Sequence, residues 1–363
     1  MTTTQIAMKP GLAAAEELMN RVLRDGAPIA DEYPLVFREG FPGQIVALGD
    51  GEGVRSACTV LLRDLVSPQG ELRAGFIGSV ATDPAFRRQG LASQVLEGAE
   101  MRLANQGAIV SMLWAEDPRF YYARGYRPVG AEDDYQISPE VAGNLPETDA
   151  VREGGEEDTE AIHQLYLTHT ARTNRRLEET AALLECPGMS TRVIERDGEV
   201  VAYALMGRGG DLERTIHEWA GEIDDVLALV RAHVATATND EPTFVMAPTQ
   251  FTELRERMRA AGARTGRGIL ALAKIVDRGR AAQKLGRILG PNATITFDPT
   301  AIEANQVHLR TPLGEAHLND DTLLVLLFST GGERADTLAF GDHFGVDVSN
   351  LPFEPFVWGL DSI

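Results

Sequence analysis

Two stretches of this chain hold residues whose types and spacing could do chemistry. The first is Gly75 to Ala92, GFIGSVATDPAFRRQGLA. An apolar, strand-like run ends at Thr82, the chain turns through Asp83-Pro84, and a helix is predicted to begin near Gly90. Arg87, Arg88, Gln89, Gly90 and Leu91 fall at that start, where backbone N–H groups lack intrahelical partners and the helix dipole is positive. Such a start binds anions, Gly90 lets a bulky ligand approach the backbone, and Arg87 or Arg88 can add charge-assisted bonds. A pyrophosphate fits. An ordinary strand–turn–helix with a solvated arginine pair fits the same residues, and these features alone do not choose between them. The second stretch is Phe120 to Tyr126, FYYARGY, which taken by itself reads as core aromatics.

The elements that must position these residues follow from periodicity. An amphipathic helix is predicted over 13–24, strands over 44–48 and 55–64, and a third strand over 71–82 after the turn Ser67-Pro68-Gln69-Gly70. The glycine cluster at 49–53 reads as a hairpin turn, since no Lys-Ser/Thr follows it as a phosphate loop requires. A helix over 91–105, a buried strand over 108–115 and a short helix over 119–124 come next. This order builds a mixed α/β sheet covered by helices. A polar, acidic stretch at 144–158 reads as a linker. Beyond it the order partly repeats: a helix at 159–176, strands at 190–196 and 199–206 around Asp197-Gly198, a helix at 223–235, a strand at 243–247, a helix at 249–261 and a strand at 268–276. A third, α+β unit fills the rest, with a helix from about 280, strands near 293–297 and 306–309, and a helix after Asp320-Asp321.

Both stretches resemble one family. Pro84-x-x-Arg87-x-x-Gly90-x-Ala92 is similar to the R/Q-x-x-G-x-G/A signature of the GNAT superfamily of N-acetyltransferases, and Phe120-Tyr121-x-x-x-Gly125-Tyr126 is similar to its second signature. The resemblance implies direct transfer of an acetyl group from acetyl-CoA to an amine. It places Val80 and Thr82 along the pantetheine arm, and Arg87, Arg88, Gln89, Gly90, Leu91 and Ala92 at the pyrophosphate. A backbone N–H near Val80 would stabilise the oxyanion, and Tyr121 would protonate the departing thiolate. A phenol with pKa ~10 is mostly protonated at pH 7 and available as that donor. The three-unit plan resembles the Eis-type (enhanced intracellular survival) branch. This implies a catalytic GNAT domain at 1–148, a degenerate GNAT-like domain at 149–279 and a sterol-carrier-protein-like domain at 280–363. The second unit has no R-x-x-G-x-A equivalent, so it is not expected to bind the cofactor.

Bulk properties limit the alternatives. The 363 residues carry a net charge of −20, which argues against a nucleic-acid partner and suits a cationic acceptor as well as simple solubility. Residues 252–290 hold ten Lys and Arg against three acids, read as a contact zone between acidic domains. No apolar run is long enough for a membrane span, the first residues lack the pattern of a secretory signal, and two isolated cysteines suggest a reducing compartment. A cytoplasmic location, no membrane partner and, by resemblance, a homo-oligomer are expected. The histidines do not form a metal site: His163 and His169 lie six apart, and His217-Glu218 lacks the second histidine of a zinc helix.

In Eis-type enzymes the terminal carboxylate points into the active site as base, which implies Ile363 here. The apolar ending Phe353 to Ile363 has the surface to dock such a tail, and a buried last segment whose carboxylate merely reaches solvent is the alternative. A lysine-like acceptor, a polyamine or an aminoglycoside must lose a proton before attack. Glu116, Asp117, Asp31 and Glu32 are further candidates to receive it, and Asp361 could bind a second amine. The competing class is a protein that only senses acetyl-CoA or carries an apolar ligand in its third unit; a sensor has no use for Tyr121 as an acid.

Overall fold

The structure is a computed structural model, and it describes residues 3–6, 9–50, 53–236, 241–299, 306–329 and 334–363. Among these the chain builds three sheets, of eight, seven and three strands. The first sheet runs Thr3–Ile6, Gln44–Asp50, Gly53–Ser67, Gly70–Thr82, Val110–Leu113, Ala271–Ile275, Arg127–Val129, with the short strand Arg172–Thr173 paired to Gly53–Ser67. Most of it is antiparallel; Gly70–Thr82 and Val110–Leu113 are parallel neighbours, joined by helix Leu91–Asn105. That helix has the expected bounds. Its Val95, Leu96, Ala99 and Leu103 pack against Val46, Val60, Ile77 and Leu113 of the sheet, the 3.6-residue stripe meeting alternate strand positions.

The second sheet runs Arg264–Gly268, Glu132–Ile137, Thr243–Pro248, Thr215–Ala220, Glu199–Met206, Ser190–Arg196, Val151–Glu153. The hairpin around Asp197-Gly198 and helix Ile223–Ala235 fall where the sequence placed them. The repeat of element order is therefore real, but the two units exchange strands. Glu132–Ile137, within 1–148, lies in the second sheet between Thr243–Pro248 and Arg264–Gly268. Ala271–Ile275, within 149–279, lies in the first sheet between Val110–Leu113 and Arg127–Val129. Sequence order places a strand in a unit, whereas backbone pairing places it in a sheet, and here the two differ.

Other expectations are amended. The linker at 144–158 contains the edge strand Val151–Glu153 and a short 3-10 turn, Glu156–Asp158, closed by Arg152 on Asp158 at 2.7 Å. The helix expected over 159–176 stops at Leu167, because Arg172–Thr173 leaves to pair with the first sheet. Strand Thr215–Ala220 and helix Leu177–Leu184 were not anticipated. Part of the 49–53 turn, Gly51 and Glu52, lies outside the described residues. The third unit packs helices Arg278–Leu289 and Asp320–Phe328 with the sheet Thr294–Thr296, Val307–Thr311, Gly314–Leu318.

The basic stretch does join the units. Arg255 and Arg267 both reach Asp133 (2.6 and 3.1 Å), Lys274 reaches Glu100 (2.6 Å), and Arg278 reaches Asp320 (2.6 Å). The tail is equally integrated. Phe353, Phe356, Trp358 and Leu360 are buried, and the Trp358 indole N–H donates to the Ala171 carbonyl (3.1 Å) while its ring stacks on His169 at 4.2 Å. Burial of so many aromatic faces is ample to hold a chain end that would otherwise fray.

Candidate active site

The groove arises where two parallel strands part. Gly70–Thr82 pairs with Val110–Leu113 only as far as Phe76 opposite Met112. On its other side the register against Gly53–Ser67 slips between Ala57 and Thr59, and Ser79 takes a positive φ of 48°. This bulge turns the strand away from its neighbour and leaves Gly78 to Thr82 facing an open cleft. The chain then makes a 3-10 turn, Pro84–Phe86, capped by Asp83 Oδ1 accepting from the Ala85 amide at 2.9 Å. Arg88 (φ 63°) and Gly90 (φ 78°) bend it sharply into helix Leu91–Asn105. Gly90 is the N-cap, so the amides of Gly90, Leu91, Ala92 and Ser93 have no intrahelical acceptors.

A cavity of about 620 Å³ lies over this helix start, lined by Val80, Thr82, Arg87, Arg88, Gly90, Leu91 and Ala92, so every expected cofactor residue except Gln89 borders it. Arg124, which the sequence reading passed over, lines it too. Its guanidinium sits 3.6 Å from the Phe120 ring centroid and donates to Ser93 Oγ (3.0 Å) and the Phe120 carbonyl (2.6 Å). It is the residue before Gly125 in the second signature, which was the available signal. Three arginines and a run of free amides suit a polyphosphate.

Tyr121 borders the same cavity, edge-on to Phe120 (5.0 Å) and Tyr126 (5.8 Å). Burial, with the Cys58 thiol behind it, pushes its pKa above the ordinary phenol value and keeps the proton on. Tyr122 faces elsewhere, 40% exposed, onto a second cavity.

That second cavity, about 860 Å³, is bordered by Gly78, Val80, Tyr33, Trp114, Glu116, Tyr122, Arg208, Asp211 and Ile363. It shares Val22, Leu23 and Val80 with the first, so the two meet at the middle of the parted strand. The backbone carbonyl carbon and oxygen of Ile363 lie directly against Gly78: a Cβ added there would overlap both, so only glycine admits them.

The expected acceptor-side acids separate. Glu116 borders the cavity, whereas Asp31 is exposed away from it and Asp117 is occupied by Arg119 at 2.6 Å on the surface. Glu32 is buried and holds Arg24 with both oxygens (2.9 and 3.0 Å), so it props the wall rather than facing the cavity. Asp361 is fully buried, accepting from the Tyr166 hydroxyl at 2.7 Å with Arg175 3.7 Å away, and it does not border the cavity where a second amine was expected. The short 3-10 turn Gly359–Asp361 points its side chain into the second unit, an orientation that position along the chain does not reveal. Asp211, from the second unit, was missed. It takes the Tyr33 hydroxyl and Arg24 (2.6 Å) at the cavity wall. Burial pushes the Tyr33 pKa up to about 12, so that phenol stays neutral.

Among the described residues no group of three or more His, Cys, Asp or Glu could hold a metal, and no helix is long and apolar enough to cross a membrane. The histidines of the second unit serve its core. His169 and His233 are pushed down to about 4 and His217 to about 3, in each case first by burial.

Residues 28–129 match the family model for the acetyltransferase (GNAT) domain. No curated protein matches the chain. Among solved structures, a probable N-acyltransferase from Enterococcus faecalis V583 is 15% identical, with 99% of each chain covered and a TM-score of 0.70. A GCN5-related N-acetyltransferase from Kribbella flavida is 14% identical with full coverage of both chains and a TM-score of 0.63. Eis1 from Mycobacterium abscessus is 13% identical over 87% of this chain and 84% of its own, with a TM-score of 0.57. These likenesses establish a shared fold along nearly the whole chain. The matched segment contains the bulged strand, the helix start at Gly90 and Tyr121; this chain carries a GNAT acetyltransferase domain and is an acetyl-CoA-dependent acyltransferase.

Proposed function

We propose that the chain moves an acetyl group from acetyl-CoA directly to a primary amine of a polyamine, an aminoglycoside or a lysine side chain, as an Eis-type N-acetyltransferase. The observation that carries this reading is the meeting of two cavities at Val80, one lined by Arg87, Arg88 and Arg124 over a helix start and the other bordered by Ile363 where it lies against Gly78. The bound thioester supplies the acyl group. Arg87, Arg88, Arg124 and the amides of Gly90 to Ser93 hold the phosphates, and the parted edge at Val80 and Thr82 offers backbone groups to the pantetheine arm. An N–H near Val80 faces the developing oxyanion. The Ile363 carboxylate, with Glu116 of the same cavity, takes the proton of the acceptor ammonium so that the free amine can attack the thioester carbonyl. Tyr121, kept protonated by burial, gives its proton to the sulfur as the C–S bond breaks. Trp114, Tyr33 and Tyr122 supply aromatic faces that attract a cationic acceptor before it is deprotonated.

The test is acetyl-CoA turnover, read as free thiol, on a panel of polyamines, aminoglycosides and lysine peptides. Tyr121→Phe and a chain extended by several residues beyond Ile363 are run beside it. The expected result is turnover on at least one amine, with kcat down ~100-fold or more in each variant and acetyl-CoA still bound. Cofactor binding without acetylation of any amine would favour the sensing class instead. Self-association, expected by resemblance, is read from sedimentation of the same samples.

A further inference from the structure

Of the second-unit side chains at the acceptor cavity, Arg208 is the one whose bonds run to the tail. Arg208 is 2% exposed, yet among the described residues it makes no ion pair with a carboxylate; its bonds go to the tail. One guanidinium nitrogen, Nη1, donates to the carbonyls of Gly359 (2.6 Å) and Ser362 (3.1 Å), and Nη2 donates to Ser362 Oγ (3.1 Å). Its Cζ lies 4.8 Å from the Tyr33 ring centroid, and the residue borders the acceptor cavity. A buried cation without a paired carboxylate is costly, so its place has to be enforced by the surrounding fold. Here it is. Gly207 (φ 82°) and Gly209 (φ 49°) flank Arg208; a side chain on the first would strike the Gly188 carbonyl, and one on the second would strike the Glu32 carboxylate. The Gly209 amide is tied to Pro187 O (2.7 Å) and the Gly207 carbonyl to the His217 imidazole (3.0 Å).

We propose that Arg208 is a positioning residue for the transfer: it fixes the last turn of the tail so that the Ile363 carboxyl rests on Gly78. The proposal rests on reading Ile363 as the base. The fork engages three oxygens of the tail, so it sets direction as well as distance, which a lysine point charge does not. The other titratable and charged groups facing the same cavity are Arg24, Tyr33, Glu116, Tyr122 and Asp211. Arg24 and Asp211 are paired with one another, which leaves Arg208 as the cation whose bonds run to the tail.

The experiment measures kcat across pH, and separately acetyl-CoA affinity, for Arg208→Gln, Arg208→Lys and the chain extended beyond Ile363, using the fastest amine of the panel. Arg208→Gln is expected to lower kcat about 10- to 100-fold with acetyl-CoA affinity unchanged. Its acid limb should move to higher pH, because removing a cation makes the carboxylate harder to ionise. Arg208→Lys should fall between, with the limb unmoved, and it carries the test if the glutamine variant does not fold. A glutamine variant with wild-type kcat and limb, or a lysine variant with wild-type kcat, overturns the positioning role. If the extended chain keeps full kcat, the base reading itself fails, and the proposal fails with it for that distinct reason.

Discussion

The two sheets open the same gap and treat it in opposite ways. In the first, Gly70–Thr82 parts from Val110–Leu113 beyond Phe76, and the gap stays open behind Gly78. In the second, Thr215–Ala220 pairs in parallel with Thr243–Pro248 only at Thr215 and Ile216. There Trp219 spans the gap, its indole N–H donating to the Met246 carbonyl at 2.9 Å, and Trp358 of the tail packs edge-on 5.2 Å away. The helix starts differ as well. The first follows Arg87, Arg88 and Gly90; the second follows Glu222 and carries Asp224 and Asp225 in its first turn, which repels an anion. Backbone geometry makes a gap in both. Side chains decide that one is a cleft and the other is core, and the filled gap anchors the tail that reaches into the open one.

This contrast can be broken from either side. Trp219→Ala should cost ~3–5 kcal/mol, read from urea unfolding, and should create no new acetyl-CoA site. A loss under 1 kcal/mol would mean the second gap is not sealed by that ring. Filling the first gap with Gly78→Val should displace the Ile363 carboxyl and lower kcat ~100-fold, with little change in acetyl-CoA affinity. Unchanged kcat would separate the tail from the chemistry.

A smaller effect distinguishes the units by pH. His169, His217 and His233 have folded pKa values depressed to about 4, 3 and 4, below the ordinary ~6.5 of the unfolded chain. The unfolded state therefore binds more protons, so their stabilisation is present above pH 6.5 and is lost as pH falls toward 4. Each should contribute a loss of roughly 1–2 kcal/mol by pH 5. Urea midpoints at pH 7 and pH 5 read it directly, and equal midpoints would contradict it. Smallest is Arg88→Ala, expected to weaken acetyl-CoA binding ~10-fold through one lost charge-assisted contact. Calorimetry would show whether the affinity is instead unchanged.

How much of this was legible depended on distance along the chain. The groove over the start of helix Leu91–Asn105 is built from one contiguous strand–turn–helix, so Val80 to Ala92 could be read locally, and helices 91–105 and 223–235 followed from their apolar stripes. Tyr121 was placed beside it because its motif lies close by, and it borders the same cavity. Asp211 and Arg208 were not, because their loop belongs to the second unit and reaches the cavity only through contacts between residues far apart in the chain. Asp361 was misread for the same reason: its neighbours Tyr166 and Arg175 are nearly two hundred residues away. The strand exchange is invisible to periodicity, since a strand buried in either sheet carries the same apolar pattern.

The most direct measurement is a calorimetric titration of the intact chain with acetyl-CoA, beside Gly90→Val and Trp219→Ala. The account predicts one site per chain, lost in Gly90→Val, where a branched side chain must take a positive φ at the helix start, and kept in Trp219→Ala. Two sites per chain, or a single site that survives Gly90→Val and disappears with Trp219→Ala, would contradict it.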